Sequence, residues 1–351
     1  MKTKKKSNFI KNFVIFALLI FLTFYILFKD QNVLDILGIL KSVKLPFVMM
    51  AIGCMFLYLV LEAVNLGRTL KNLNEKSSFW QNVKYAFIGF FFSSITPAAS
   101  GGQPMQVYYM YKDKISVANS TLALLINLTS MQIITIGFAL FSLIFNYQYL
   151  NRVLIICFIV GILLNATALS LLIIGVYSRR LSKWLIEFAL KVLKFFRVKN
   201  LDAKKEKFES ELARYQESAV YIRNNRLLMI KVLFTTLVQF TIYYSITYWT
   251  YRALGFNDHN VAEIVTMQSV LFATVSGIPS PGAVGVSEGA FTEIFRNVYP
   301  KNVMGSAVLL NRGINFYLYV LISGIVTAIN HIKKKDVEGI DEEESKCQKI
   351  N

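Results

Sequence analysis

Six stretches of this chain, roughly 12–28, 46–66, 118–145, 152–177, 227–250 and 303–330, are apolar over lengths close to the ~20 residues that cross ~30 Å of hydrocarbon. Inside a bilayer no water is present to satisfy backbone N–H and C=O groups, so each run has to be helical. A composition of 55% hydrophobic residues and a mean hydropathy of +0.48 exceed what the core of a soluble 351-residue chain requires. The expectation is an all-α integral membrane protein with about six full spans. Its membrane domain occupies 1–332, and an acidic, disordered tail occupies 333–351. The first run is read as a retained anchor rather than a cleaved signal, because it is long and "FKDQNV" follows in place of a small-residue cleavage site.

Charge placement gives the orientation. Five lysines fall in the first twelve residues, the 178–226 loop holds thirteen Lys and Arg against six acids, and "HIKKK" follows the last span. Residues 146–151 and 253–260 hold no Lys or Arg. By the excess of basic residues on the inner side, both termini are expected in the cytoplasm of a bacterial cell. The same placement accounts for the net charge of +17 and removes the case for a nucleic-acid partner. The 178–226 loop opens with an amphipathic stretch carrying Trp184, Leu185, Phe188, Val192 and Phe195, suited to the anionic inner leaflet. A second amphipathic helix is expected over 31–44. The three cysteines, Cys54, Cys157 and Cys347, form no disulfide framework, and His259 and His331 are isolated, so no metal and no cofactor is expected.

Two segments break the apolar pattern. "SSITPAASGGQPMQVYYMYK" (93–112) and "VSGIPSPGAVGVSEGAF" (275–291) place prolines, glycines and polar residues at membrane depth. Each is either a re-entrant hairpin or a pair of crossings. Pro97 and Gly101 match Pro281 and Gly285 at an offset of 184, and Gln103 and Asn127 match Glu288 and Arg312 at 185. Because an odd number of crossings separates them, units 46–145 and 227–330 are expected to run in opposite senses, as an inverted repeat. Broken backbone survives at this depth only within protein or beside a wet cavity. Each break also frees amide donors at a half-helix start, where an anion is favoured. Gly101, Gly102, Gly282 and Gly285 permit close approach, so a phosphate-bearing headgroup is the expected guest. Ser287 joins this candidate set. Arg312 either pairs with Glu288 or holds a lipid phosphate. Glu62, Asn127 and Gln239 are further intramembrane polar residues, read as groove or helix-contact groups, and Glu62 and Glu288 are the proton-coupling candidates.

Together with "NRGINFYLY", the two broken motifs resemble the lysylphosphatidylglycerol synthase transmembrane family, a flippase-like group, over about residues 10–332. The resemblance implies that Pro97, Gly101, Gly102 and Gln103 form the first signature and Pro281, Gly282, Gly285 and Glu288 the second, with Arg312 the arginine of the last span. It implies movement of aminoacylated phosphatidylglycerol between leaflets, a modification that blunts cationic antimicrobial peptides. In full-length synthases a separate cytoplasmic domain transfers lysine from charged tRNA; the short stretch after His331 leaves no room for one, so translocation is expected rather than catalysis. Glu62 near "VNLGR" departs from the family pattern. The expected function is a lipid translocase for an anionic phospholipid, with no ATP-binding motif visible. Alternatives are a phosphatidylglycerol lysyltransferase, a membrane subunit docking a separate synthase, and a polyprenyl-phosphate-sugar carrier.

Overall fold

In the computed structural model, residues 38–39, 41–146, 152–177, 217–218, 220–221, 224–276, 278 and 280–331 are described. The expected span at 12–28, most of the 178–226 loop, most of the 31–44 helix and the tail lie outside these residues. The described chain is helical, with no strand among the described residues. Helix α1 is Leu45–Asn72, α2 Phe79–Ser94, α3 Gly102–Lys112, α4 Val117–Asn146, α5 Arg152–Tyr177, α6 Arg226–Ala253, α7 Val261–Val275 and α8 Val286–Ile294. The last, α9, runs Lys301–His331 with a π-helical turn at Gly313–Tyr317. Four helices, α1, Val117–Ile144 within α4, α6 and α9, are long and apolar enough to span a membrane, and Phe158–Leu171 within α5 is a shorter apolar segment.

Helices α1 and α6 lie antiparallel along their whole lengths. At one end Asn225 donates from Nδ2 to Asn72 Oδ1 over 3.2 Å. At the other the Lys44 amide donates to the Ala253 carbonyl over 2.9 Å. Between them, Asn65 donates to Thr236 Oγ1 (3.0 Å) and to the Val232 carbonyl (3.3 Å), while Arg68 binds Asn65 Oδ1, Thr235 Oγ1 and the Lys231 carbonyl. Lipid tails are as apolar as leucine, so hydrophobicity alone gives two spans little reason to associate. Hydrogen bonds of this kind supply part of that preference.

The chain leaves each of these helices into a short hairpin. The first hairpin is α2 and α3, which run antiparallel. Near the turn Gly102 packs against Ser93, and at the base Lys84 Nζ pairs with Asp113 Oδ2 at 2.8 Å. The second is α7 and α8. Its base is an aromatic cluster of Phe291, Phe295, Tyr299 and Tyr251, with the Phe291 and Phe295 rings stacked at 4.5 Å. Both first arms begin with capping boxes, Ser78 with Gln81 and Asn260 with Glu263, in which side chain and backbone satisfy one another's orphan groups. At 1.5 Å per residue none of the four arms reaches ~30 Å. The breaks therefore form hairpins that turn back within the protein.

Because α1 and α6 are antiparallel, the hairpin after Asn72 and the hairpin after Ala253 start from opposite ends of the pair. Their tips are 3-10 turns, Pro97–Ala99 and Pro281–Ala283, and the two tips touch. Each ends in a left-handed alanine, Ala99 at φ 54° and Ala283 at φ 52°. Asn74 (φ 57°) and Gly255 (φ 94°) likewise reverse the chain after α1 and α6. Helix α5 braces the second hairpin: Asn165 donates to Ser276 Oγ at 2.9 Å, and Gly161 lies so close to the Ala273 carbonyl that no side chain fits between them. Large apolar side chains face outward, among them Phe234, Ile144, Leu45 and Leu321. That surface suits hydrocarbon.

Candidate functional site

At the second tip the backbone is committed by its glycines. Gly282 sits at φ 59° with its Cα against the Phe316 ring, so a Cβ there would collide with the ring, and Gly285 at φ 86° is the N-cap of α8. Three residues on, Glu288 turns back and accepts the Gly285 amide on Oε2 at 2.7 Å. A carboxylate thus occupies the helix start where a free anion was expected. Its other oxygen, Oε1, accepts from Arg312 Nε at 2.8 Å and from Tyr317 Oη at 3.0 Å. A terminal nitrogen of Arg312 donates to the Gly282 carbonyl at 3.0 Å, and the guanidinium lies 4.3 Å from the Phe316 ring centre. Glu288 is fully buried and Arg312 nearly so.

The π-helical turn makes this set possible. In it a residue lies over the one five positions on. Arg312 and Tyr317 therefore share a face and both reach Glu288, while Phe316 reaches Gly282. Of the two roles open to Arg312, the pairing with Glu288 is realised. The pair compensates its own charge, and Arg312 also lines a cavity.

That cavity, of about 240 Å³, lies where the tips meet. Ser93, Ser94 and Ala99 of the first hairpin line one side, and Gly282, Ala283 and Ser287 of the second line the other. Arg312, Asn311 and Asn315 come from α9 and Gln268 from α7. Two of its polar atoms, Ser280 Oγ and Asn315 Oδ1, are buried without a hydrogen-bond partner among the described residues. Such atoms are costly to bury bare, so they await a guest or water.

Gln103, Glu62 and Asn127 meet elsewhere, around a second cavity of about 140 Å³ that also holds Tyr58, Gln106, Phe90 and Ser93. Phe90 and Ser93 line both cavities. Counted from the N-cap glycines, the residue matching Glu288 is Pro104 rather than Gln103; Gln103 falls level with Ser287. The residue that binds Glu62 is Gln106, whose Nε2 donates to Glu62 Oε1 at 3.3 Å and to the Tyr85 carbonyl at 3.1 Å. At the first tip Gly101 donates its amide to Thr96 Oγ1 at 2.9 Å, so this half-helix start is capped from within its own turn. Gly102 packs where a Cβ would meet Ser93 Oγ and the Gly89 carbonyl, which makes its role close arm packing. Pro97 is exposed and Pro281 buried. Gln239 is buried on α6 and lines neither cavity. Sequence reasoning passed over Gln106, Ser280, Asn315 and Tyr317. The signal available for them was their polarity within apolar segments.

Comparison with known proteins points to a membrane-protein family. Over 286 residues the chain is 24% identical to a protein described as a UPF0104 membrane protein from Archaeoglobus fulgidus, which covers 80% of this chain and 85% of that protein. The sequence pattern of the family described as "Lysylphosphatidylglycerol synthase TM region" matches residues 9–323, which take in both hairpins, both cavities and the Arg312–Glu288 pair, and the chain belongs to that family.

Proposed function

We propose that this membrane protein is a lipid translocase, in which the headgroup of an anionic phospholipid passes between the hairpin tips while its tails stay in the bilayer. The observation that carries the reading is the cavity at the meeting point of the two tips, lined by Arg312 and by the bare polar atoms of Ser280 and Asn315. Supporting it, the elements α1 to α4 recur as α6 to α9 in the same order, with a spanning helix, two short arms about a 3-10 turn, and a second spanning helix. Two left-handed positions recur, Asn74 with Gly255 after the spanning helix and Ala99 with Ala283 at the tip. We read this as an inverted repeat, an architecture that places substrate between discontinuous helices near the bilayer midplane. The guanidinium, although neutralised by Glu288, presents a charged hydrogen-bond donor to the cavity, and serine and amide groups complete a polar lining in which a phosphate trades water for protein. A phosphatidylglycerol carrying an aminoacyl group is one member of this substrate class.

The test is headgroup accessibility in proteoliposomes containing fluorescent phosphatidylglycerol, with an impermeant quencher added outside. Wild type should equilibrate the label between leaflets. Asn315→Leu, which fills the cavity and removes its bare acceptor, should slow this at least about tenfold, a loss of ~1.4 kcal/mol from the transition state. Wild-type rates in Asn315→Leu, or no equilibration in wild type, would overturn the reading.

A further inference from the structure

The second cavity contains a buried carboxylate that the headgroup path does not use. Glu62 projects from the middle of α1 into the ~140 Å³ space among α1, α2, α3 and α4. Its single hydrogen bond among the described residues is the 3.3 Å contact from Gln106. The groups around it are neutral. Tyr58 comes from α1 itself, Gln103 and Gln106 from α3, and Asn127 from α4, while α2 offers the backbone carbonyl of Tyr85 to the same amide. From α6, Tyr243 approaches through Tyr58, their rings 4.8 Å apart. Cations on the surrounding elements are engaged, Lys84 of α2 with Asp113 at the end of α3 at 2.8 Å. Arg68, further along α1, is bound to Asn65, Thr235 and the Lys231 carbonyl. Arg312 borders the other cavity and is bound to Glu288.

The contrast between the halves sharpens this. Glu288 meets an arginine at position 312, whereas the sequence-matched position 127 holds an asparagine. An ionised carboxylate inside a membrane protein costs several kcal/mol unless paired. One that carries a proton needs no counter-charge. The space beside Glu62 exceeds what one water needs, so a proton has a hydrated station there.

We propose that Glu62 is a proton-binding site coupled to the hairpin tips, and that lipid movement is linked to proton uptake and release at its carboxylate. The proposal rests on the translocase reading for the coupling and on the cavity geometry for the site itself. The link to the tips is material. Gln106 ties Glu62 to the inner face of the first hairpin, against Gly89, where a side chain would collide with it. Phe90 and Ser93, next along α2, line both cavities. When Glu62 is ionised, the Gln106 amide is held by a charge-assisted bond; when a proton adds to the carboxylate oxygen, that bond weakens and α2 is released.

Two readouts test it on full-length protein in proteoliposomes. In an infrared pH titration, wild type should show a protonated-carboxyl C=O band that is absent in Glu62→Gln and shifted in Glu62→Asp. A spectrum identical in wild type and Glu62→Gln would overturn the site. With fluorescent phosphatidylglycerol, a pH difference of about one unit should shift the steady-state leaflet ratio of wild type up to about tenfold for one proton per lipid. In Glu62→Gln the ratio should stay at unity while gradient-free equilibration persists. Equilibration indifferent to the pH gradient, or driven instead by a sodium gradient, would overturn the coupling. No equilibration under any condition, with the Glu62 band intact, would overturn both the coupling and the translocase reading and leave the proton site standing.

Discussion

At the residue scale, the Arg312–Glu288 pair shows how far sequence reasoning reaches. Two opposite charges in apolar sequence, 24 positions apart, announce a pair or a site. Spacing alone does not announce the π-helical turn that brings Tyr317 onto the same carboxylate. The pairing sets a stability prediction. Arg312→Ala leaves Glu288 buried and bare, and should cost about 3–5 kcal/mol, read as a drop in the thermal midpoint of the detergent-solubilised protein. Arg312→Met combined with Glu288→Gln removes both charges and should recover most of that loss. A double variant as unstable as the single one would show that the guanidinium serves more than its partner. Gln103 illustrates the opposite limit. Its sequence match to Glu288 needs a one-residue slip, yet each half-helix starts at its N-cap glycine, and that start puts Gln103 level with Ser287. Helical register decides which glutamine faces inward, and the buried one is Gln106.

At the element scale, the breaks in apolar pattern were legible because proline and glycine at membrane depth have few uses. The arms themselves are short: at 1.5 Å per residue none of α2, α3, α7 and α8 reaches ~30 Å. Four of the six expected spans fall on helices long and apolar enough to cross a membrane. Run 152–177 coincides with α5, while α1 extends beyond the expected 46–66 to Asn72, because Asn65, Arg68 and Asn72 are polar yet satisfied against α6 and its N-cap. Hydropathy ends a helix at its first polar residues; a partner helix lets it continue. The meeting of the tips is open to direct test. With Cys54, Cys157 and Cys347 replaced, Ala99→Cys with Ala283→Cys should cross-link through a short bis-maleimide in native membranes. Ala99→Cys with Gly255→Cys, which joins a tip to the far end of α6, should not. Failure of the first pair, or equal yield from both, would separate the tips.

At the scale of the whole molecule, the antiparallel α1–α6 pair is the frame, and the hairpins hang from its two ends. If the basic segments set the orientation, a single cysteine within 178–226 should react with impermeant thiol reagents only after the inner face of the membrane is exposed. A cysteine at Asn257 should react in intact cells. The reverse pattern would invert the frame and exchange the leaflets from which the two hairpins start. The family, the all-helical class and the membrane setting were legible in two motifs and a hydropathy profile. The two cavities were not, since they depend on which polar residues converge from four or more helices.

The hairpins are anchored unequally along their lengths. Their bases are fastened by an ion pair in one and by stacked rings in the other, whereas the tips that abut are built of proline, alanine and glycine. Those small residues share little apolar area, so the join between the tips rests on the buried cluster of Ile95, Val284 and Phe316 beside them. Three side chains therefore act as the clasp between the two halves, and shortening one of them, as in Ile95→Ala, should slacken the centre of the molecule while its rims hold.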